Sequence, residues 1–181
     1  DTGEATVSSG SLTFTSGNWD TPQTITVTGV NDALADGSQK TTITMAVDDA
    51  NSDNNFDDVA NQTVTATTTD NETAGFTLGA ISGNVTEAAS TATFTVVLDA
   101  QPVSDVVIDV TSGDTGEATV SSGSLTFTNG NWDTPQTITV TGVDDDIIDG
   151  NINTTITLAI NDGSSHDQYD DVANQTVTAT T

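Results

Sequence analysis

Residues 1–68 repeat without a gap as residues 114–181, with 17 differences in the 68 positions. This constrains the fold more than any local pattern does, because the 113-residue period sets the size of the unit and one architecture must serve both copies. The copies open on Asp1-Thr2-Gly3-Glu4-Ala5-Thr6 and Asp114-Thr115-Gly116-Glu117-Ala118-Thr119, and they share Gly17-Asn18-Trp19-Asp20 and Gly130-Asn131-Trp132-Asp133. The reading is one whole unit preceded by the back part of another.

Within each copy the dominant signal is Thr alternating with apolar residues, the period of a half-buried strand. The spacing predicts four strands in the first copy, at 11–15, 23–30, 41–47 and 62–68, and seven in the second unit, at 76–78, 91–98, 105–111, 124–128, 136–143, 154–160 and 175–181. Turn signals such as Gly83-Asn84 and Gly130-Asn131 separate them, which suits an Ig-like sandwich. The fold class expected is all-β: tandem seven-stranded antiparallel β-sandwiches, the first unit incomplete. The boundaries are 1–70 for the last four strands of one repeat, 71–75 for a linker and 76–181 for a full repeat. Phe94, Val96, Leu98, Ile138, Val140, Ile156, Leu158 and Ile160 should face the core, with Thr outward, where a β-branched side chain suits an exposed pleat. Trp19 and Trp132, each followed by a proline, read as lids over the core edge. Four strands alone leave a core face open. Either the sequence begins partway through this unit, which is the simpler reading, or strands of a neighbouring subunit complete it, in a fibre.

Charge decides which partners are excluded. Asp and Glu number 27 against one basic residue, Lys40, for a net charge of -26. Phosphate recognition needs Lys and Arg, so neither nucleic acid nor insertion into an anionic membrane surface is expected. With no Cys there is no disulfide, thiolate site or Cys nucleophile. One His and no Arg leave little catalytic chemistry beyond carboxylate pairs, and no enzyme is expected. His166, replaced by Asp53 in the first copy, reads as a solvated loop residue.

The acids concentrate where one strand run stops and the next begins, at Asp144-Asp145-Asp146-Ile147-Ile148-Asp149-Gly150 and Asn31-Asp32-Ala33-Leu34-Ala35-Asp36-Gly37. Carboxylates clustered without cations oppose folding. Hard cations such as Ca2+ want six to eight oxygens, typically from carboxylates, carbonyls and water. Alternating strand directions bring Glu87, the connection around Glu117 and an exit like Asp70-Asn71-Glu72 to the same end of the sandwich. A second acidic loop, Asp167-Gln168-Tyr169-Asp170-Asp171, falls at the other end and reads as a solvated turn.

The strings Ser124-Leu125-Thr126-Phe127, Gln136-Thr137-Ile138-Thr139-Val140, Asp144 to Gly150, Val85-Thr86-Glu87 and the exit Thr65 to Glu72, in that register, resemble the Calx-beta motif. The resemblance implies a seven-stranded sandwich binding Ca2+ at one end, and the Thr-rich, Lys-poor tandem copies are most similar to bacterial surface members. It carries metal ligation onto Glu87, Glu117, Asp145 and Asp149 in the full unit, and onto Glu4, Asp32, Asp36, Asp70 and Glu72 around the partial one. Where the family has a further acid three residues after Asp149, this chain has Ile152, and Gln39 in the first copy. The implied function is a Ca2+-rigidified structural repeat of an extracellular bacterial adhesin stalk or filament, with adjacent repeats and identical subunits as partners. The alternative is an adhesion module taking a ligand such as glycan on the loops at one sandwich end, or ice on Thr137, Thr139 and Thr141.

Overall fold

The computed structural model describes residues 2–181. Its strands are β1 (Ala5–Val7), β2 (Val27–Gly29), β3 (Gln39–Met45), β4 (Gln62–Thr68), β5 (Phe76–Leu78), β6 (Thr91–Leu98), β7 (Val106–Ser112), β8 (Ala118–Val120), β9 (Ser124–Phe127), β10 (Gln136–Gly142), β11 (Asn153–Ile160) and β12 (Gln175–Thr180). Short 3-10 turns at Asp49–Asn51, Asn54–Phe56, Asp162–Ser164 and Asp167–Tyr169 complete the regular structure of the described residues. Two compact units result: residues up to Asp32 with Gly37–Asn71, and Ala33–Asp36 with Glu72–Thr181.

The second unit is a sandwich of two four-stranded antiparallel sheets, in the orders β5-β6-β10-β8 and β12-β11-β7-β9. The period of two sorts the residues as the alternation requires. Along β10 and β6, Ile138 sits opposite Phe94 and Val140 opposite Ala92 on the buried face. On the other face Thr137, Thr139 and Thr141 sit opposite Thr95, Thr93 and Thr91, cross-strand pairs that stabilise the sheet they decorate. The second sheet contributes Val106, Ile108, Ile156 and Leu158 to the same core. Of the eight residues expected inside, seven are buried and Ile160 packs partly buried against them. All seven expected strands are present, and β8, three residues too short to show a period, adds an eighth.

Two contacts tie the ends of this unit together. The Gln175 side-chain amide donates to the Phe76 carbonyl, and the Val85 N–H donates to the Thr180 carbonyl at 2.9 Å. Residues 76–85 thus run alongside 175–180 in the same sense. Tyr169 is wholly buried, and its hydroxyl donates to the Ala100 carbonyl at 2.5 Å. Ala33–Asp36 packs with this unit: the Ala35 N–H donates to the Gln101 carbonyl and the Gln101 N–H to the Ala33 carbonyl, both at 2.8 Å, and Ala35 is buried.

The first unit consists of two separate pairs, β1-β2 and β3-β4. The expected strand at 11–15 does not form, and that at 23–30 contracts to β2. The reason is the missing partner rather than the residues themselves. In the second unit the equivalent β9 is held by β7, and Gln136 to Thr139 of β10 is held by β6. The first unit lacks equivalents of β6 and β7 among the described residues, and retains β2 only where β1 pairs with it, as β8 pairs with β10. Exposure follows pairing: Phe14 is 53% exposed and its counterpart Phe127 0%. The expectation that both tryptophans cap a core holds for Trp132, which packs on the core, and fails for Trp19, which is 72% exposed.

Candidate metal centre

The acidic loop lies between β10 and β11, and the pairing of β8 with β10 brings Glu117 to it. Gly142 sits opposite Ala118, and the next N–H, that of Val143, donates to the Glu117 carbonyl at 2.9 Å. That carbonyl also accepts the Thr181 hydroxyl at 3.1 Å. Inside the loop the Asp145 carboxylate accepts the Ile147 N–H at 2.7 Å, an Asx turn that folds the chain back on itself. Gly150 closes the loop at φ 78, a conformation repeated by Gly37 at φ 74 in the first copy and open to glycine without steric cost.

The turn carrying Glu87 is held against the same strand exit. A Cβ on Gly142 would collide with the Thr86 carbonyl, so only glycine lets these backbones meet. The Gly142 N–H donates to the Ser90 carbonyl at 3.1 Å and the Thr86 N–H to the Ser90 hydroxyl at 2.8 Å. Ala89, between them, adopts φ 58, left-handed backbone that a non-glycine residue holds only under strain.

This framework places one carboxylate oxygen each from Glu117, Asp145 and Asp149 within 4.8 Å of one another. Two oxygens on a single Ca2+, bonded at about 2.3–2.6 Å, lie at most about 5.2 Å apart, so the trio fits one ion. Its all-oxygen donor set suits a hard cation, whereas zinc sites draw on His and Cys. Glu117 is 9% exposed, Asp145 half-buried and Asp149 exposed, which leaves an open side for water and further oxygens. The Glu117 carboxyl is pushed above its ordinary value, first by desolvation and then by the charges of Asp149, Asp145, Asp114 and Glu87. A bound divalent cation would reverse the electrostatic part of that push.

Of the sequence candidates in the full unit, the trio gathers Glu117, Asp145 and Asp149. Glu87 stands outside it, half-buried, with its charge felt at Glu117. Around the first copy, Glu4, Asp32 and Asp70 belong to the first unit, and Asp36 and Glu72 to the second. The Glu4 carbonyl accepts the Val30 N–H and the Thr68 hydroxyl, and the Asp70 carboxylate accepts the Gly37 N–H at 2.7 Å. Asp114, not singled out from the sequence, adds to the field at Glu117 from the turn before β8; its place three residues ahead of Glu117 was the available signal.

The second acidic loop keeps Asp167, Gln168, Asp170 and Asp171 exposed, as expected of a solvated turn, and departs from that reading only at Tyr169. Asp170 is exposed, but Tyr169 beside it fills the core, and His166 is half-buried, its N–H donating to the Asp105 carbonyl at 3.0 Å. The reading of His166 as a freely solvated residue is corrected accordingly.

No helix among the described residues is long and apolar enough to cross a membrane. No curated protein matches the chain. The Calx-beta domain pattern matches residues 6–72 and again 69–181. With its antiparallel sandwich and its carboxylate trio at a strand end, the chain belongs to the Calx-beta family of structural and binding modules, which are associated with Ca2+.

Proposed function

We propose that the chain is a Ca2+-binding structural repeat of an extracellular bacterial adhesin stalk or surface filament. The carrying observation is the trio Glu117, Asp145 and Asp149, drawn from two connections distant in sequence and held together by β8-β10 pairing in a chain whose only Lys or Arg is Lys40. An ion there bridges the β10–β11 loop to the start of β8, fixing that end of the sandwich. Repeats that touch only their neighbours extend a spacer without redesign, which suits a stalk. The net charge of -26 and the tandem copies agree with a solvated, extended setting.

Melting of the full chain with and without chelator tests this. With the affinity usual for extracellular modules, about 10⁻⁴ to 10⁻³ M, 10 mM Ca2+ adds about 1.4–2.7 kcal/mol. Asp145→Asn and Asp149→Asn should each lose most of that gain. An unchanged melting temperature at 10 mM Ca2+ would refute the metal reading. The alternative of ice binding on Thr137, Thr139 and Thr141 draws less support, since the opposed Thr rows are accounted for as cross-strand pairs.

A further inference from the structure

The turn from Val85 to Ser90 is fastened at both ends and strained in between. At one end the Val85 N–H donates to the Thr180 carbonyl at 2.9 Å. At the other the Ser90 carbonyl accepts the Gly142 N–H at 3.1 Å, and the Ser90 hydroxyl accepts the Thr86 N–H at 2.8 Å and the Thr86 hydroxyl at 3.1 Å. Between these fastenings Glu87, Ala88 and Ala89 form a turn, with Ala89 left-handed at φ 58. Ala89 is exposed, so no packing of its methyl group accounts for the conformation. Glycine would hold it without steric cost, as Gly37 and Gly150 do in the acidic loops. Alanine holds it at a cost in stability, and among the described residues it is the one non-glycine residue with positive φ. The residue this turn carries toward the trio is Glu87. It is half-buried, and the Glu117 carboxyl, raised first by desolvation, is raised also by the Glu87 charge.

We propose that Ala89 is a positioning residue for the metal centre: its left-handed backbone reverses the chain within the fastened turn and holds Glu87 beside the trio as a further carboxylate for a hard divalent cation. That role rests on the metal reading of Glu117, Asp145 and Asp149. Three carboxylates supply only part of the six to eight oxygens that Ca2+ takes, so a fourth within reach has work to do. A side chain already fixed by its turn loses little freedom on joining the shell, and a group held in place by its supporting residues binds better than one left to move. Strain kept at Ala89 then has a return in the placement of Glu87, whose own sequence neighbours offer no other anchor between Thr86 and Ser90.

The test follows the side-chain carboxyl carbon resonance of Glu117 in the full chain as Ca2+ is added. Ala89→Val, β-branched and excluded from left-handed backbone, should open the turn and raise the Ca2+ midpoint by about tenfold. Ala89→Gly should raise the melting temperature in chelator by at least about 2 °C through relief of strain. Its Ca2+ midpoint should stay within about twofold of the parent's, because glycine keeps the left-handed conformation open. In a Glu87→Gln background the valine substitution should move the midpoint by less than about twofold, a dependence on Glu87 that a merely structural role of Ala89 would not produce. Equal shifts in the two backgrounds would overturn the inference alone, as would a valine variant with the parent's midpoint or a glycine variant no more stable than the parent. The Glu87 carboxyl resonance decides should the valine variant not fold. In the parent and in Ala89→Gly it must move together with that of Glu117, and a Glu87 resonance that stays still would overturn the inference. A Glu117 resonance unmoved in the parent at about 10 mM Ca2+ would overturn the metal reading itself, and the role of Ala89 with it.

Discussion

Phe127 and Phe14 offer a test in which chemistry and local sequence are held constant and only the partners differ. Both sit in Ser-Leu-Thr-Phe-Thr, yet one is 0% exposed and the other 53%. Phe127→Ala removes a fully buried ring between Val106 opposite it and the rest of the core, forfeiting transfer free energy and leaving a cavity, for a loss of about 3–5 kcal/mol. Full burial of such a side chain contributes about 1.5–3 kcal/mol by transfer alone, so the half-exposed Phe14 should forfeit about 1 kcal/mol or less, with no cavity to add. At about 4 °C per kcal/mol for a unit of this size, calorimetry of the full chain should show the main transition fall by about 12–20 °C for Phe127→Ala. The same transition should stay within about 4 °C for Phe14→Ala. Equal shifts would refute the assignment of an open first unit and a closed second one.

Three further outcomes follow from particular groups. The Thr154 hydroxyl is buried with no hydrogen-bond partner, as is that of its counterpart Thr41, so Thr154→Val should raise stability by about 1 kcal/mol in urea titrations. Glu117 is raised above 4.5 in the folded state, which therefore holds more protons than the unfolded chain between those two values. In chelator, stability should then rise as pH falls from neutral through the folded value and level off below the unfolded one. Urea midpoints should show this in the parent chain and show it less in Glu117→Gln, where the raised Asp170 carboxyl still contributes, and Ca2+ should reverse the Glu117 part because protons then compete with the ion. Tyr169, the single tyrosine, is raised to about 12 by burial and then by the Asp99 charge, against the lowering effect of its bond to Ala100. Phenolate absorbance should appear near 12 in the folded chain and near 10 in urea, with stability lost as pH climbs between the two.

Much of the second unit was legible because alternation encodes which face is buried, and Ile138, Val140, Ile156 and Leu158 obey it. The loop acids were legible because the repeat keeps Asp32 with Asp145 and Asp36 with Asp149 while replacing Asp144 by Asn31 and Asp146 by Ala33. What alternation cannot encode is whether a partner strand exists. Residues 11–15 and 124–128 are identical yet only the latter contains a strand, so the difference lies in tertiary context and not in propensity. Tyr169 was hidden among acids in a stretch with no period, and β8 was too short to show one. The trio's geometry depends on that short strand, so the candidate ligands were readable while the mechanism that gathers Glu117 to them was not.

The way residues 76–85 and 175–180 run alongside each other in one sense has a mechanical consequence. A pull applied at residues 72 and 181 draws these two end segments past one another lengthwise. The Phe76–Gln175 and Val85–Thr180 bonds then carry load together, in shear, and do not open one after another as in a peeled hairpin. Rupture requires the segments to slide as a block, with the sheets still packed on either side. Under a pull at both ends, that geometry places a shear contact at the points where tension enters and leaves the unit.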